Sequence, residues 1–430
     1  MLLAEVVTRV MTGLPDLKAI IPDQVNFFNP RSAPVNSCFR ITGHPREDVT
    51  VGHVLARRCV VSLVIMLVAH LAGCGGGSGG QIFTTTPIAP APAPEFLYVT
   101  NHGSDNISAF SINTATGALT PVVGSPFAAG TGPNAAAVAS GKFLYVANST
   151  SNNVSGYTID QSSGALTSVP GSPFAAGTGP QAIAVDSSAK FVYVANFWSA
   201  NISAYSINTT TGALSPVPGS PFGSGGTFYS ITADPAGKFV YVSDNGFLQI
   251  SAFAIDVTSG ALTAVPGGPF PAGSDPLGLV VHPSGKFLYV TDVPPASNGN
   301  VLAYNIDGIT GALAPLTGSP FAVGPQPMAV GIEPQGKFAY VSLIGGPTIA
   351  GLSINSTSGA LTQTAGSPFP AQNPSGVAID FSGKMLYVSN PNLNSVGAYT
   401  IDATTGALTA IGSPTAAGTG PIGLAVSPAH

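Results

Sequence analysis

Residues 143–190 read FLYVANSTSNNVSGYTIDQSSGALTSVPGSPFAAGTGPQAIAVDSSAK, and this stretch decides the fold because the chain repeats it seven times. The repeats begin at Phe96, Phe143, Phe191, Phe239, Phe287, Phe338 and Met385, spaced 47, 48, 48, 48, 51 and 47 residues apart. Each opens with an apolar, aromatic run (FLYVTN, FLYVAN, FVYVAN, FVYVSD, FLYVTD, FAYVSL, MLYVSN) and continues into an alternating segment such as ISAFSI or VGAYTI. A turn then closes on a glycine, at Gly117, Gly164, Gly212, Gly260, Gly311, Gly359 and Gly406. Hairpins that need a positive φ put glycine at such a place, since it has no Cβ to clash. A third segment starts with Ala-Leu and runs to a GSPF-like corner, and a fourth apolar segment (AIAVD, GLVVH, GVAID) ends in a tight turn.

Four short strands in about 48 residues is the size of one propeller blade. No single blade buries both of its faces, so stability requires a stack of neighbours. The reading is an all-β, seven-bladed β-propeller over residues 95–430, with four antiparallel strands per blade. The chain enters at FLYV and leaves at IGLAVSPAH, the segment that precedes FLYV in every other repeat. The C-terminal strand Ile422–Ser427 is therefore expected to complete the blade begun by residues 96–123, which would leave no open edge. Composition agrees: 53 glycines, 39 prolines and only 7% charged residues leave few long helix formers and many turn signals.

The N-terminal part reads as an address. Residues 57–74, RRCVVSLVIMLVAHLAGC, place two arginines before a short apolar run that ends in Leu71-Ala72-Gly73-Cys74. That is the layout of a secretory signal, and its last four residues resemble the bacterial lipobox, in which Cys74 would be lipidated. A membrane span needs about 20 apolar residues, and this run is shorter and broken by His70. Residues 75–94 change from GGGSGG to a Pro/Ala spacer and read as a tether. Residues 1–56 fit neither signal nor repeat, which points to translation starting later, near Val51 or Val54. The expected location is the bacterial cell envelope, with the protein held to a membrane by its lipid, in the periplasm or at the outer membrane and cell surface.

Charge narrows the partners. All six arginines precede residue 59, and after Cys74 there are six lysines against thirteen carboxylates, a net charge of −7. Such a chain is a poor ligand for nucleic acid or anionic lipid surfaces. None of the three cysteines lies in the repeats, no cofactor motif is present, and a monomer is expected.

The repeats, with Tyr98-Val99-Thr100-Asn101 as a literal match, resemble the YVTN-type propellers and the lactonase-like propeller family, which includes bacterial 6-phosphogluconolactonase and fungal muconate-lactonising enzymes. The resemblance implies a lactone-hydrolysing fold. The shared motifs are strand and turn residues, so they carry over no catalytic group. Lactone hydrolysis needs a water-activating group and donors for the developing oxyanion, and a phosphorylated lactone also needs Arg or Lys. The repeat region has no arginine, and Lys142, Lys190, Lys238, Lys286, Lys337 and Lys384 all occupy one inter-strand turn, expected on the face opposite the channel mouth.

Site candidates are therefore departures from the repeat in the mouth loops. His102, with Asp105 beside it, is the one histidine in such a loop and a weak catalytic pair. His282 stands where other repeats have Asp186, Asp234, Glu333 or Asp380, and reads as a turn residue. Asp244, Asp275 and Asp292 come from separate loops and make no recognised metal-ligand spacing. The strongest local anomaly is aromatic: Phe197, Trp198, Phe228, Tyr229 and Phe247 are expected on one sector of the mouth, as a contact for a protein or glycan ligand. On these grounds a tethered binding module ranks first and a lactonase-type hydrolase is the alternative.

Mass spectrometry of the unprocessed precursor is expected to find no peptide from residues 1–50, and such a peptide would overturn the late start. Metabolic fatty-acid labelling should be lost in Cys74→Ala.

Overall fold

The computed structural model describes residues 94–428 except 224, 296 and 297. The N-terminal extension, the signal segment with Cys74, residues 75–93 of the tether, and His430 lie outside the described residues.

Seven four-stranded antiparallel sheets make seven blades. In the second blade the order from axis to rim is Pro133–Ala139, Phe143–Asn148, Asn153–Ile159 and Leu166–Ser168. The rim strand then breaks at the Gly-Ser-Pro corner and resumes as Phe174–Ala175 against the same neighbour. At that corner a serine hydroxyl stands in for the ladder: Gly156 N–H donates to Ser172 Oγ at 2.9 Å, and Ala109, Ala204, Ala303 and Gly351 repeat the bond to Ser125, Ser220, Ser319 and Ser367. The first blade takes its axial strand, Pro421–Ser427, from the C-terminus, which pairs with Glu95–Asn101 in register Phe96 to Ser427. The closure expected from the sequence is thus present.

The FLYV-type strand is buried at every residue because it has a blade on each side. Its alternation divides it between two interfaces. Phe96 and Tyr98 pack with Leu144 and Val146 of the next blade, whereas Leu97 and Val99 pack with Met385 and Tyr387 of the preceding one. The core is therefore seven inter-blade clusters rather than one central mass.

One directional contact recurs between every pair of neighbouring blades. The Tyr98 hydroxyl donates to the Gly164 carbonyl at 3.0 Å, and Tyr145, Tyr193, Tyr241, Tyr289 and Tyr340 do the same to Gly212, Gly260, Gly311, Gly359 and Gly406. Tyr387 closes the circle on Gly117 at 3.1 Å. The accepting glycines have φ of 72–77°. An aromatic ring of the donor strand lies against each of the first six; at Gly311 a Cβ would stand 2.5 Å from Phe239 Cδ1. At Gly117 the methionine of MLYVSN, Met385, takes that place. Glycine is thus required by backbone conformation and by packing together.

The seam between first and last repeats differs in one residue. Where six repeats carry an exposed lysine before the aromatic strand, the first carries Glu95, which is buried. Burial, with Asp380 adding to it, pushes its carboxyl up to about 7. A carboxyl whose folded pKa exceeds its unfolded value favours folding while protonated, and that advantage is lost as pH rises through 7.

Gly311→Ala should cost roughly 3 kcal/mol from the left-handed backbone plus overpacking, and Tyr241→Phe about 1 kcal/mol, read from urea unfolding. Relative to Glu95→Gln, the native protein should lose thermal stability between about pH 4.5 and pH 7 and change little above that; parallel melting curves would refute the buried-carboxyl account.

Candidate functional site

Six of the seven axial strands are bulged near the mouth. Pairing skips Gln181 between Pro180 and Ala182, and likewise Asn134 and Tyr229. Bulges re-aim side chains, and here the skipped residues (Asn134, Gln181, Tyr229) stand at the channel mouth, as do Leu277, Met328 and Ile422 at the matching position. The next residue is small in every blade because the axial strands crowd: a Cβ on Gly376 would sit 2.2 Å from the Ile422 carbonyl oxygen. Hydroxyls pin these bulges. Thr291 Oγ1 accepts from Gly278 N–H at 2.9 Å within its blade and donates to the Met328 carbonyl of the next at 2.8 Å. Thr100, Ser243, Ser342 and Ser389 make the same pair of bonds. The second and third blades have Ala147 and Ala195 at this position, so neither offers a hydroxyl. Asn134 Nδ2 donates to the Gln181 carbonyl at 2.7 Å instead.

The site candidates gather in that sector. Phe197, Trp198 and Tyr229 form one wall of a cleft of ≈ 460 Å³, whose other lining includes Ser149, Thr150, Asn152, Thr178 and Gln181. Trp198 meets Phe197 edge-on with centroids 4.7 Å apart, and Phe197 meets Tyr229 at 6.3 Å. The Tyr229 hydroxyl reaches Met328 Sδ at 3.4 Å; burial, with a smaller effect of Asp275, raises it to about 12. Phe228 is 0% exposed and packs in the core with Phe191 and Val240, and Phe247 is 61% exposed on the following loop. The five aromatics expected together thus resolve into three at the cleft (Phe197, Trp198, Tyr229), one in the core (Phe228) and one exposed on the loop after Asp244 (Phe247). The register break accounts for the division: Phe228 pairs with Asp244 and its ring enters the core, whereas Tyr229 is the unpaired residue of the bulge and lines the cleft.

His102 and Asp105 are divided between different partners. His102 Nε2 lies 3.4 Å from Ser149 Oγ, whose own hydroxyl donates to the Gly132 carbonyl at 2.9 Å. Asp105, at φ 55°, accepts from Gly132 N–H at 2.8 Å and so ties two loops together. The histidine is thereby joined to the cleft through Ser149, a connection between separate repeats that spacing along the chain does not reveal.

The other acidic candidates are structural. Asp244 accepts the amides of Gly226 and Thr227 at 3.0 Å, and Asp292 those of Ser274 and Asp275 at 2.7 and 2.8 Å. Asp275 accepts from Asn245 Nδ2. Among the described residues no three His, Cys, Asp or Glu side chains converge on a point that would hold a metal ion. His282 bonds Ser284 and, at 2.9 Å, the Gly336 carbonyl of the next blade, which fits a turn residue.

All six lysines are exposed in the turns at the opposite end of the blades. The described mouth therefore carries Asp105, Asp244, Asp275 and Asp292 and no lysine or arginine. This field disfavours an anionic ligand and suits a neutral one.

A family model described as "Lactonase, 7-bladed beta-propeller" matches residues 84–177, 138–229 and 226–422. No curated protein sequence matches the chain. Among solved structures, the periplasmic gluconolactonase of Pseudomonas aeruginosa superposes with a TM-score of 0.67 at 19% identity, over 79% of this chain and 100% of that one. A candidate 6-phosphogluconolactonase from Bacteroides fragilis gives 0.66 at 23%, over 79% and 99%. One from Bacteroides uniformis gives 0.67 at 20%, over 78% and 99%. At these identities the likeness is one of fold.

Proposed function

As the chain belongs to the seven-bladed β-propeller lactonase family, we propose that it is a lactonase-type hydrolase acting on a neutral lactone at the mouth cleft. The carrying observation is the union of an uncharged, aromatic-walled cleft with one histidine at its edge, on a face without cations. The Ser149 hydroxyl is committed to Gly132, and His102 Nε2 lies 3.4 Å from Ser149 Oγ, which joins the imidazole to the cleft. The imidazole takes the proton of a water attacking the lactone carbonyl. The ring C–O bond then breaks, and the proton returns to the alkoxide of the opened hydroxy acid. Gln181 and Asn152 supply neutral amide donors for the developing oxyanion. A phosphorylated lactone has no cationic clamp here.

The sequence reading ranked binding above hydrolysis; family membership reverses that order. A binding module for glycan or protein is the second reading, and the solvent-exposed Trp198 favours it. In either case Leu71–Cys74 supports a lipid tether in the cell envelope.

With neutral and phosphorylated lactones compared side by side, turnover is expected for the neutral class alone. His102→Gln should lower kcat by about 10²- to 10⁴-fold, and Ser149→Ala by less than about tenfold. Full activity in His102→Gln, or preference for a phosphorylated lactone, would overturn the assignment. No turnover in a folded sample would leave the binding reading.

A further inference from the structure

We propose that the Trp198 cleft is a stacking site for one neutral, hydroxyl-bearing sugar ring. The proposal rests on the mouth being the working face, and it names the chemistry that face recognises.

Trp198 is 73% exposed, yet it is not loose. Its ring is braced edge-on by Phe197 at 86°, and its backbone N–H donates to the Thr178 carbonyl at 3.1 Å. The ring also lies so close to Gly179 that a Cβ there would come within 2.4 Å of Trp198 Cδ1. Gly179 sits at φ 70°, and its amide donates to Asn152 Oδ1 at 2.8 Å, so the loop beneath the indole is locked from the neighbouring blade. A large aromatic held rigid in water, rather than folded inward, is a platform whose ordering cost is already met.

The rest of the lining selects what settles on it. Ser149, Thr150, Asn152, Thr178 and Gln181 offer hydroxyl and amide groups and no charge. A sugar ring has the matching two-sided character: C–H bonds on its faces for the indole, and hydroxyls on its edge for the rim. Neutral polar groups left facing a purely apolar ligand would lose their water without replacement. The only charged side chains an anion meets among the described residues of this face are carboxylates. The volume, ≈ 460 Å³, falls within the range for small-ligand pockets.

Trp198 is the single tryptophan of the chain, so its fluorescence reads this cleft alone. Titration of the purified chain with methyl β-glucopyranoside is expected to give a saturable emission shift, with Kd on the order of 1 mM. By isothermal calorimetry Trp198→Ala should abolish binding, Trp198→Phe should retain it within about tenfold, and Phe247→Ala should leave it unchanged. Gluconate 6-phosphate should bind at least about tenfold more weakly than the glucoside. A flat fluorescence titration, equal binding by Trp198→Ala, or tighter binding of the phosphorylated acid would overturn the proposal. A response to a proline-rich peptide but not to the glucoside would do so as well. Saccharide binding without lactone turnover would leave this site standing and refute the hydrolase; turnover without saccharide binding would do the reverse.

Discussion

Everything in this molecule hangs on a phenol bonded to a glycine carbonyl one blade away. The donor must be deep enough to be shielded and the acceptor must be a hairpin that no side chain keeps at a distance. Burial raises the pKa of Tyr98, Tyr145, Tyr193, Tyr241, Tyr289, Tyr340 and Tyr387, so each hydroxyl remains a donor across physiological pH. Because the bond reaches across an interface already filled by apolar rings, its geometry fixes how far apart consecutive blades stand and in what register. Spacing between repeats can then vary, from 47 to 51 residues, only where the chain loops out beyond these contacts.

The same logic explains which parts of the structure were legible in the sequence. A position that must satisfy one bond seven times is written seven times, so the aromatic strands, the turn glycines and the closing strand all stood out. The far turns were legible too, since Asp186, Asp234 and Asp380 share one repeat position and each accepts the backbone amides four and five residues on. The site was harder because its contacts join non-equivalent positions of different repeats. His102 meets Ser149, and Trp198 leans on Gly179, pairs that no period relates. The axial bulge also hid Tyr229 beside Phe228: two adjacent aromatics look alike on paper and face opposite worlds in the fold. Asp244 and Asp292, whose spacing along the chain matches no metal site, have their oxygens on loop amides, a role that spacing alone does not reveal.

The site lies where the ring's own symmetry lapses. Five interfaces are pinned at the mouth by a threonine or serine that serves two blades at once. The two that lack this hydroxyl, after Ala147 and Ala195, flank the cleft. At the pinned interfaces the matching position is Asn134, Leu277, Met328, Ser375 and Ile422, whose carbonyls accept the hydroxyls, and at the two others it is Gln181 and Tyr229, whose side chains line the cleft. Function on this scaffold is thus a matter of controlled irregularity, added to a frame whose stability is supplied elsewhere.

The seam between Glu95–Asn101 and Pro421–Ser427 has a topological consequence. Once the last strand has completed the first blade, the sheet network has no privileged starting point, and the position of the chain ends is an accident of the gene rather than of the architecture. The polypeptide is in effect a circle cut at one turn. The same ring is accessible to circularly permuted chains opened at other exposed turns.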